Sequence, residues 1–437
     1  MNSGEAHPHR VVLIIGAGAA GIAAALYLKD LGMTTIILEA RNRRGGRCLT
    51  KDIKDFKVDL GASWIHCYGD TNPISDWVRK NKYPLDQNEI GLRVYFDEIE
   101  GPLTVAHVME QQGNVSELLY KAQQKVKNNE KANLYDSINL EYLQIKTSQN
   151  DLKNRVLDML LNKTEHYYAA SLEELSTLYY DHTGYGEYGG DGTPTNGYGS
   201  LIEKMSEGLE IIYNQEVTEV NYCEGNVKVI TKSGEKYEAD HIIVTVSLGI
   251  LKAKLIKFTP ELPKRKQQAI EKLGFGLMNK IILKFKKNFW GEKVNSFSVS
   301  SNERGKFPWF YSFSNEKNVL CCFVTDKFAK NLEKNNDKEI IEAILEYLKS
   351  FNHEKEIELE DYIITRWGQD PYALGSYSYF ASGSTPEDCD ILKECLIKTV
   401  YFAGEACYKN NIGVCHGAFA TGMEAAKMII LDNKLKN

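Results

Sequence analysis

The sequence predicts an α/β fold: a discontinuous, Rossmann-like domain on a parallel sheet, with an α+β lobe inserted into it. Three observations predict this. The β-branched run Val11–Ile15 passes through Gly16, Gly18 and Gly21 into a helical stretch that stops at Gly32, and the apolar run Thr34–Leu38 then ends on Glu39. Residues 240–246 return the chain to a buried strand, and residues 400–403 do so again ahead of a C-terminal helix. Between them, residues 110–161 carry Leu152, Val156, Leu160 and Leu161 at helical spacing in a Lys/Glu/Asn-rich background, without sustained heptads. The order assigns residues 1–85, 196–262 and 396–437 to the first domain and residues 86–195 and 263–395 to the inserted lobe.

Each N-terminal residue has a physical part to play. Gly16 permits a tight turn, Gly18 lets backbone approach a pyrophosphate, and Gly21 lets the helix pack on the strand. The first turn of that helix, Ala19 and Ala20, offers free N–H groups and a partial positive charge. Glu39 follows Gly21 by 18 residues, where an acid accepts hydrogen bonds from a ribose. The next residues choose the dinucleotide. Ala40, Arg41 and the turn Gly45-Gly46-Arg47 form a second, cationic glycine turn, which a nicotinamide does not need and an extended FAD does. Arg47 is the cation assigned to its pyrophosphate. The charges of Arg41, Arg43 and Arg44 read as a solvated basic patch.

This stretch resembles the second fingerprint of the flavin-dependent amine oxidase superfamily. Gly61-Ala62-Ser63-Trp64-Ile65-His66 resembles the flavin-contacting turn of that family. Residues 401–406, with Gly404 and Glu405, and residues 413–422, with Gly413 and Val414, resemble its second flavin-holding element. The resemblance implies that Glu405 accepts from ribityl hydroxyls and that a helix beginning near Gly417 turns its positive end to the flavin. It also assigns Val217 and Trp367 to the cofactor. Gly375-Ser376-Tyr377 stands where monoamine oxidases carry Gly-Cys-Tyr, so the resemblance implies non-covalent FAD.

The segment 273–285 reads as a strand after a turn, with Lys280, Ile282 and Lys284 on one face and Ile281, Leu283 and Phe285 on the other. Pattern alone makes an isolated strand lysine a solvated side chain. Together with Phe289-Trp290, however, the segment looks like the polyamine oxidase region whose lysine holds a water beside the flavin. Lys280 is the matching residue and would relay a proton. The stretch 367–379 resembles the animal-type polyamine oxidases. Tyr377 matches the aromatic wall beside the flavin, and Val414 stands where plant-type relatives place a second aromatic. Trp64 and His66 would face substrate, with His66 contacting a substrate nitrogen.

The resemblance spans residues 11–430 through four separated motifs. It implies oxidation of a secondary-amine C–N bond of N-acetylpolyamines or spermine, with O2 reduced to H2O2 and acids binding the distal charges. Three rivals are a monoamine or L-amino-acid oxidase, a histone demethylase and a catalytically silent flavin-binding protein. The demethylase would need a helical insertion and a chromatin-binding domain, for which 437 residues leave no room.

A net charge of −6 argues against a nucleic-acid partner. Nine cysteines without CxxC and nine histidines without ligand spacing suggest neither a disulfide framework nor a metal site. Cys321 and Cys322 read as core. Residues 1–10 are polar and the apolar run after them is strand-length, so neither a signal peptide nor a membrane span is expected. The tail 434–437 carries no targeting signal, and a cytoplasmic location is the expectation. Oligomeric state is left unassigned.

Overall fold

The computed structural model describes residues 11–87, 91–182, 189–223, 226–314, 316–351 and 357–434. The readings of residues 1–10 and 435–437 lie outside them.

The strand Val11–Ile15 is buried on both faces, which is why it reads as an unbroken apolar run rather than an alternating one. Val12 and Ile14 enter one core, with the helices Ala19–Asp30 and Cys415–Lys434, while Leu13 and Ile15 enter a second core on the other face. It is the central strand of a five-stranded parallel sheet. Thr34–Leu38 and Ile211–Ile212 follow on one side, His241–Val244 and Val400–Phe402 on the other. Strands from three separate stretches of chain thus meet in one sheet. Their carboxyl ends form an edge on which ligands bind in open α/β sheets.

The second layer is a seven-stranded, mostly antiparallel sheet. Its order is Leu359–Ile364, Met278–Phe285, Val319–Thr325, Trp309–Ser314, Val294–Ser300, Leu92–Asp97 and Gly101–Pro102. The expected alternation holds. Ile281, Leu283 and Phe285 enter one core, and Ile282 enters another against the hairpin strands Thr50–Ile53 and Phe56–Asp59. Cys321 and Cys322 are fully buried on opposite faces.

The solvated reading of the strand lysines fails here. Lys280 is 4% and Lys284 8% exposed, because their strand lies between two neighbours and both its faces are covered. Lys284 donates to the Lys317 carbonyl at 2.7 Å.

Three helices, Val105–Val126, Leu134–Thr147 and Asp151–Tyr168, occupy the region read as helical. The last is fixed to the large sheet by a buried fork. Arg155 Nε and Nη2 each donate to Asp97 at 2.8 Å, and Ser300 Oγ donates to the same carboxylate at 2.6 Å. Among the described residues no helix is long and apolar enough to cross a membrane, and no cluster of three or more His, Cys, Asp or Glu could hold a metal.

Candidate active site

A cavity of about 800 Å³ runs from the carboxyl edge of the parallel sheet to the large sheet. Gly16 turns at φ 105°, and the helix starts three residues later. A Cβ on Gly21 would stand 2.0 Å from the Gly16 carbonyl oxygen, so only glycine lets this helix lie against the turn. Gly21 itself does not reach the cavity. A Cβ on Gly18 would meet no protein atom within 4 Å: its space belongs to the cavity. The second glycine turn docks on the first, with Gly45 N–H donating to the Ala17 carbonyl at 2.8 Å.

Glu39 is 6% exposed and accepts from Ala17 N–H at 2.7 Å and Arg41 N–H at 2.9 Å. Burial raises its carboxyl above the ordinary range, against the pull of those two bonds. The remaining residues assigned to the cofactor from sequence, Ala19, Ala20, Ala40, Arg41, Gly46, Arg47, Gly61, Ala62, Ser63, Trp64, Val217, Trp367, Gly404, Glu405, Gly413 and Val414, all line this cavity. The helix Cys415–Lys434 opens on it two residues earlier than expected.

An open cradle over Gly18, an acid at the second strand end, a docked cationic turn and a helix N-terminus fit an FAD. These residues would hold its phosphates, ribose and ring.

Several side chains have different partners from those expected. Arg41 is no solvated charge: its guanidinium makes a fork with Asp370, at 2.9 and 2.6 Å. Arg43 donates to the carbonyls of Arg44 and Gly46, and Arg44 to Ser206 Oγ. The three arginines brace the second turn rather than solvate it. Glu405 accepts from Arg47 Nη1 at 2.8 Å and from Ser378 N–H and Oγ. It holds Arg47, which also donates to the Ser376 carbonyl at 2.9 Å. Trp367 Nε1 donates to the Leu60 carbonyl at 3.0 Å, so the indole supports the Gly61 turn.

At the other end of the cavity one row of side chains crosses five strands. Lys280 pairs with Phe323, Phe323 with Trp309, Trp309 with Ser298, and Ser298 with Tyr95. All five line the cavity. Four strand spacings of about 4.8 Å put the far end roughly 19 Å from Lys280.

Lys280 Nζ donates to the carbonyls of Asp59 at 2.8 Å and Gly61 at 2.7 Å and to Ser63 Oγ at 2.7 Å. It also lies 5.9 Å or less from the ring centres of Trp64, Phe313 and Phe323. Burial pushes its ammonium below the ordinary lysine range. His66 Nδ1 is 2.9 Å from Asp191 Oδ1 at the open end, with both side chains well exposed. The Tyr377 hydroxyl donates to the Tyr167 carbonyl at 3.1 Å, which fixes the ring beside Gly413. Val414 lines the cavity too.

Sequence reasoning missed the roof and the far wall. Trp309, Tyr311 and Phe323 alternate toward the cavity, a period-two signal readable in Trp309-Phe310-Tyr311 once that run is taken as a strand. The helix Asp151–Tyr168 contributes Asn162, Lys163 and His166. His166 is 5% exposed, stands edge-on to Trp309, and its Nδ1 has no hydrogen-bond partner. Burial first, and the nearby Lys163 charge second, push its pKa down to about 3, so it is neutral.

Among the described residues of this end Asp191 is the acid, and Arg93 and Lys163 are rim cations without a carboxylate partner.

A family description, flavin containing amine oxidoreductase, matches residues 19–430. Lysine-specific histone demethylase 1 homolog 2 of Arabidopsis thaliana is 34% identical over 449 residues, covering 98% of this chain and 59% of that protein. Polyamine oxidase 2 of Arabidopsis thaliana is 31% identical over 432 residues, covering 95% of this chain and 87% of that protein. Polyamine oxidase 4 of Oryza sativa subsp. japonica is 30% identical over 442 residues, with the same two coverages. The chain spans only 59% and 52% of the first demethylase homologues it matches. A solved putrescine oxidase double mutant, redesigned in cofactor binding, superposes with a TM-score of 0.78 at 20% identity, over 97% of this chain and 99% of that one, and shares the fold. On its matched length and its polyamine oxidase relatives, the chain belongs to the family of flavin-containing amine oxidoreductases.

Proposed function

We propose that this chain is an FAD-dependent polyamine oxidase of the interconverting type, and that N-acetylated polyamines are its preferred substrates. The observation that carries this reading is the long row from Lys280 to Tyr95, apolar and aromatic near Lys280 and ending beside Arg93 and Lys163. A chain-like amine fits such a row. A free ammonium at its far end would face two cations, whereas an acetyl group carries no charge.

When bound, FAD supplies the hydride acceptor and passes the electrons to O2, which leaves as H2O2. The protein's residues prepare the amine. Trp64, Trp309 and Phe323 exclude water from the nitrogen, which favours its neutral, oxidisable form. Tyr377 walls the reacting segment. His66 with Asp191 stands at the mouth, where a still-charged nitrogen finds the carboxylate. Loss of a hydride from the α-carbon leaves an imine. Water then splits it into a shorter polyamine and an aminoaldehyde.

A substrate panel with product identification tests the reading. N1-acetylspermine should exceed spermine in kcat/KM by roughly tenfold, the size expected when one or two like charges meet near a wet surface. Arg93→Glu should shrink that ratio by raising turnover of spermine. Benzylamine, an L-amino acid or a methyl-lysine peptide oxidised as fast as acetylspermine would overturn it. The methyl-lysine outcome would favour the activity in the names of the demethylase homologues.

A further inference from the structure

Two thiols meet inside the cofactor cavity. Cys48 follows Arg47 on the N-terminal cofactor segment, and Cys415 is the first residue of the helix Cys415–Lys434. Their sulfurs are 3.5 Å apart although 367 residues separate them in sequence. Cys48 is 6% exposed, and both residues line the cavity. We propose that Cys48 and Cys415 form an oxidisable thiol pair, which hydrogen peroxide closes to a disulfide that ties the two cofactor-holding segments together.

The surroundings divide the labour between the sulfurs. The hydrogen bond between them lowers the Cys415 thiol and raises that of Cys48, and the Arg47 charge favours the Cys415 thiolate further. The N–H groups and partial positive charge of a 20-residue helix favour a thiolate at its first position. Cys321, Cys322, Cys389 and Cys407 are the contrast. Each is buried with its thiol pushed up by desolvation, and unreactive for that reason.

The chemistry balances with one oxidant. The Cys415 thiolate attacks an oxygen of H2O2. An S–O bond forms, the O–O bond breaks, and hydroxide leaves as water with the proton Cys415 gave up. The Cys48 sulfur then attacks the sulfenic sulfur. The S–S bond forms, the S–O bond breaks, and a second hydroxide leaves as water with the Cys48 proton. Two thiols lose two electrons and one peroxide becomes two waters. The sulfurs must close from 3.5 Å to a disulfide length of about 2.05 Å.

Once linked, the turn carrying Arg47 and the helix opening on the cavity cannot part. FAD between them should leave more slowly.

The test uses the holoenzyme and added peroxide, and is independent of which amine is the substrate. After treatment with about one equivalent of H2O2, a non-reducing digest should contain one joined peptide pair holding Cys48 and Cys415. Free thiols should fall by two, and dithiothreitol should restore them. In C48S the reaction should stop at a sulfenic acid on Cys415, which dimedone labels. In wild type, FAD release should slow at least fivefold on oxidation and recover on reduction. Absence of the joined peptide while other cysteines are oxidised would overturn the proposal. So would a dimedone label that avoids Cys415 in C48S.

Discussion

Lys280, drawn as an ammonium, has no hydrogen left to give. Its three N–H bonds end on Asp59, Gly61 and Ser63, so holding a water requires one of them to be released, most readily the bond to the Ser63 hydroxyl. The same three bonds make it a pin for the flavin-contacting turn. Lys280→Met keeps the stem and removes the donor from the Asp59 and Gly61 carbonyls and from Ser63 Oγ. It should cost about 1–3 kcal/mol in a denaturant melt. It should also slow flavin reduction, reoxidation or both in stopped flow, and weaken FAD retention because the Gly61 turn loosens. Unchanged stability with unchanged half-reactions would remove Lys280 from the site. His166 makes a different prediction, in pH. Unfolded, it takes up a proton near its ordinary value of 6.5; folded, only near 3. Between those values the unfolded chain binds the extra proton, so stability falls as pH falls, by up to about 1.4 kcal/mol per pH unit from this one group. His166→Phe should flatten the acid limb of stability against pH over that window. An acid limb equally steep in the variant would contradict the assigned burial.

The N-terminal strand, glycine turn and helix were legible because what makes them is local. A β-branched run, three glycines and an acid at fixed offsets need no distant partner to be read. Two of those glycines now separate by experiment. Gly18→Ala puts a methyl where no protein atom lies within 4 Å, so the protein should fold with an unchanged melt and bind FAD at least roughly tenfold more weakly. Gly21→Ala puts one 2.0 Å from a carbonyl oxygen, so the helix must leave the turn and the melt itself should fall. Isothermal titration of the apoproteins, with thermal melts beside it, distinguishes the two. The reverse pattern would mean that the cradle over Gly18 is not the phosphate site. What could not be read locally was whatever a far segment supplies. Arg41 looked solvated because Asp370 lies 329 residues on. Lys280 and Lys284 looked solvated because nothing in their own strand says that sheet neighbours flank it and both faces are covered. Glu405 was placed correctly at the cavity, yet its partners Arg47 and Ser378 come from two other stretches of chain.

At the scale of the whole molecule, the two sheets face each other across one cavity and divide the work. The parallel sheet presents glycine turns, Glu39 and Arg47 at its carboxyl edge. The large sheet presents the row from Lys280 to Tyr95, roofed by the helix that Asp97 and Arg155 hold in place. In the proposed function, a cofactor held on the first and an amine held on the second would meet at Lys280. The purified chain should carry a flavin, released by acid precipitation as FAD with no colour left in the pellet. The most direct measurement is the absorbance of that flavin under anaerobic conditions. It should bleach on addition of N1-acetylspermine and return when O2 is admitted. A chain that binds no flavin, or a flavin that no amine bleaches, would contradict the account.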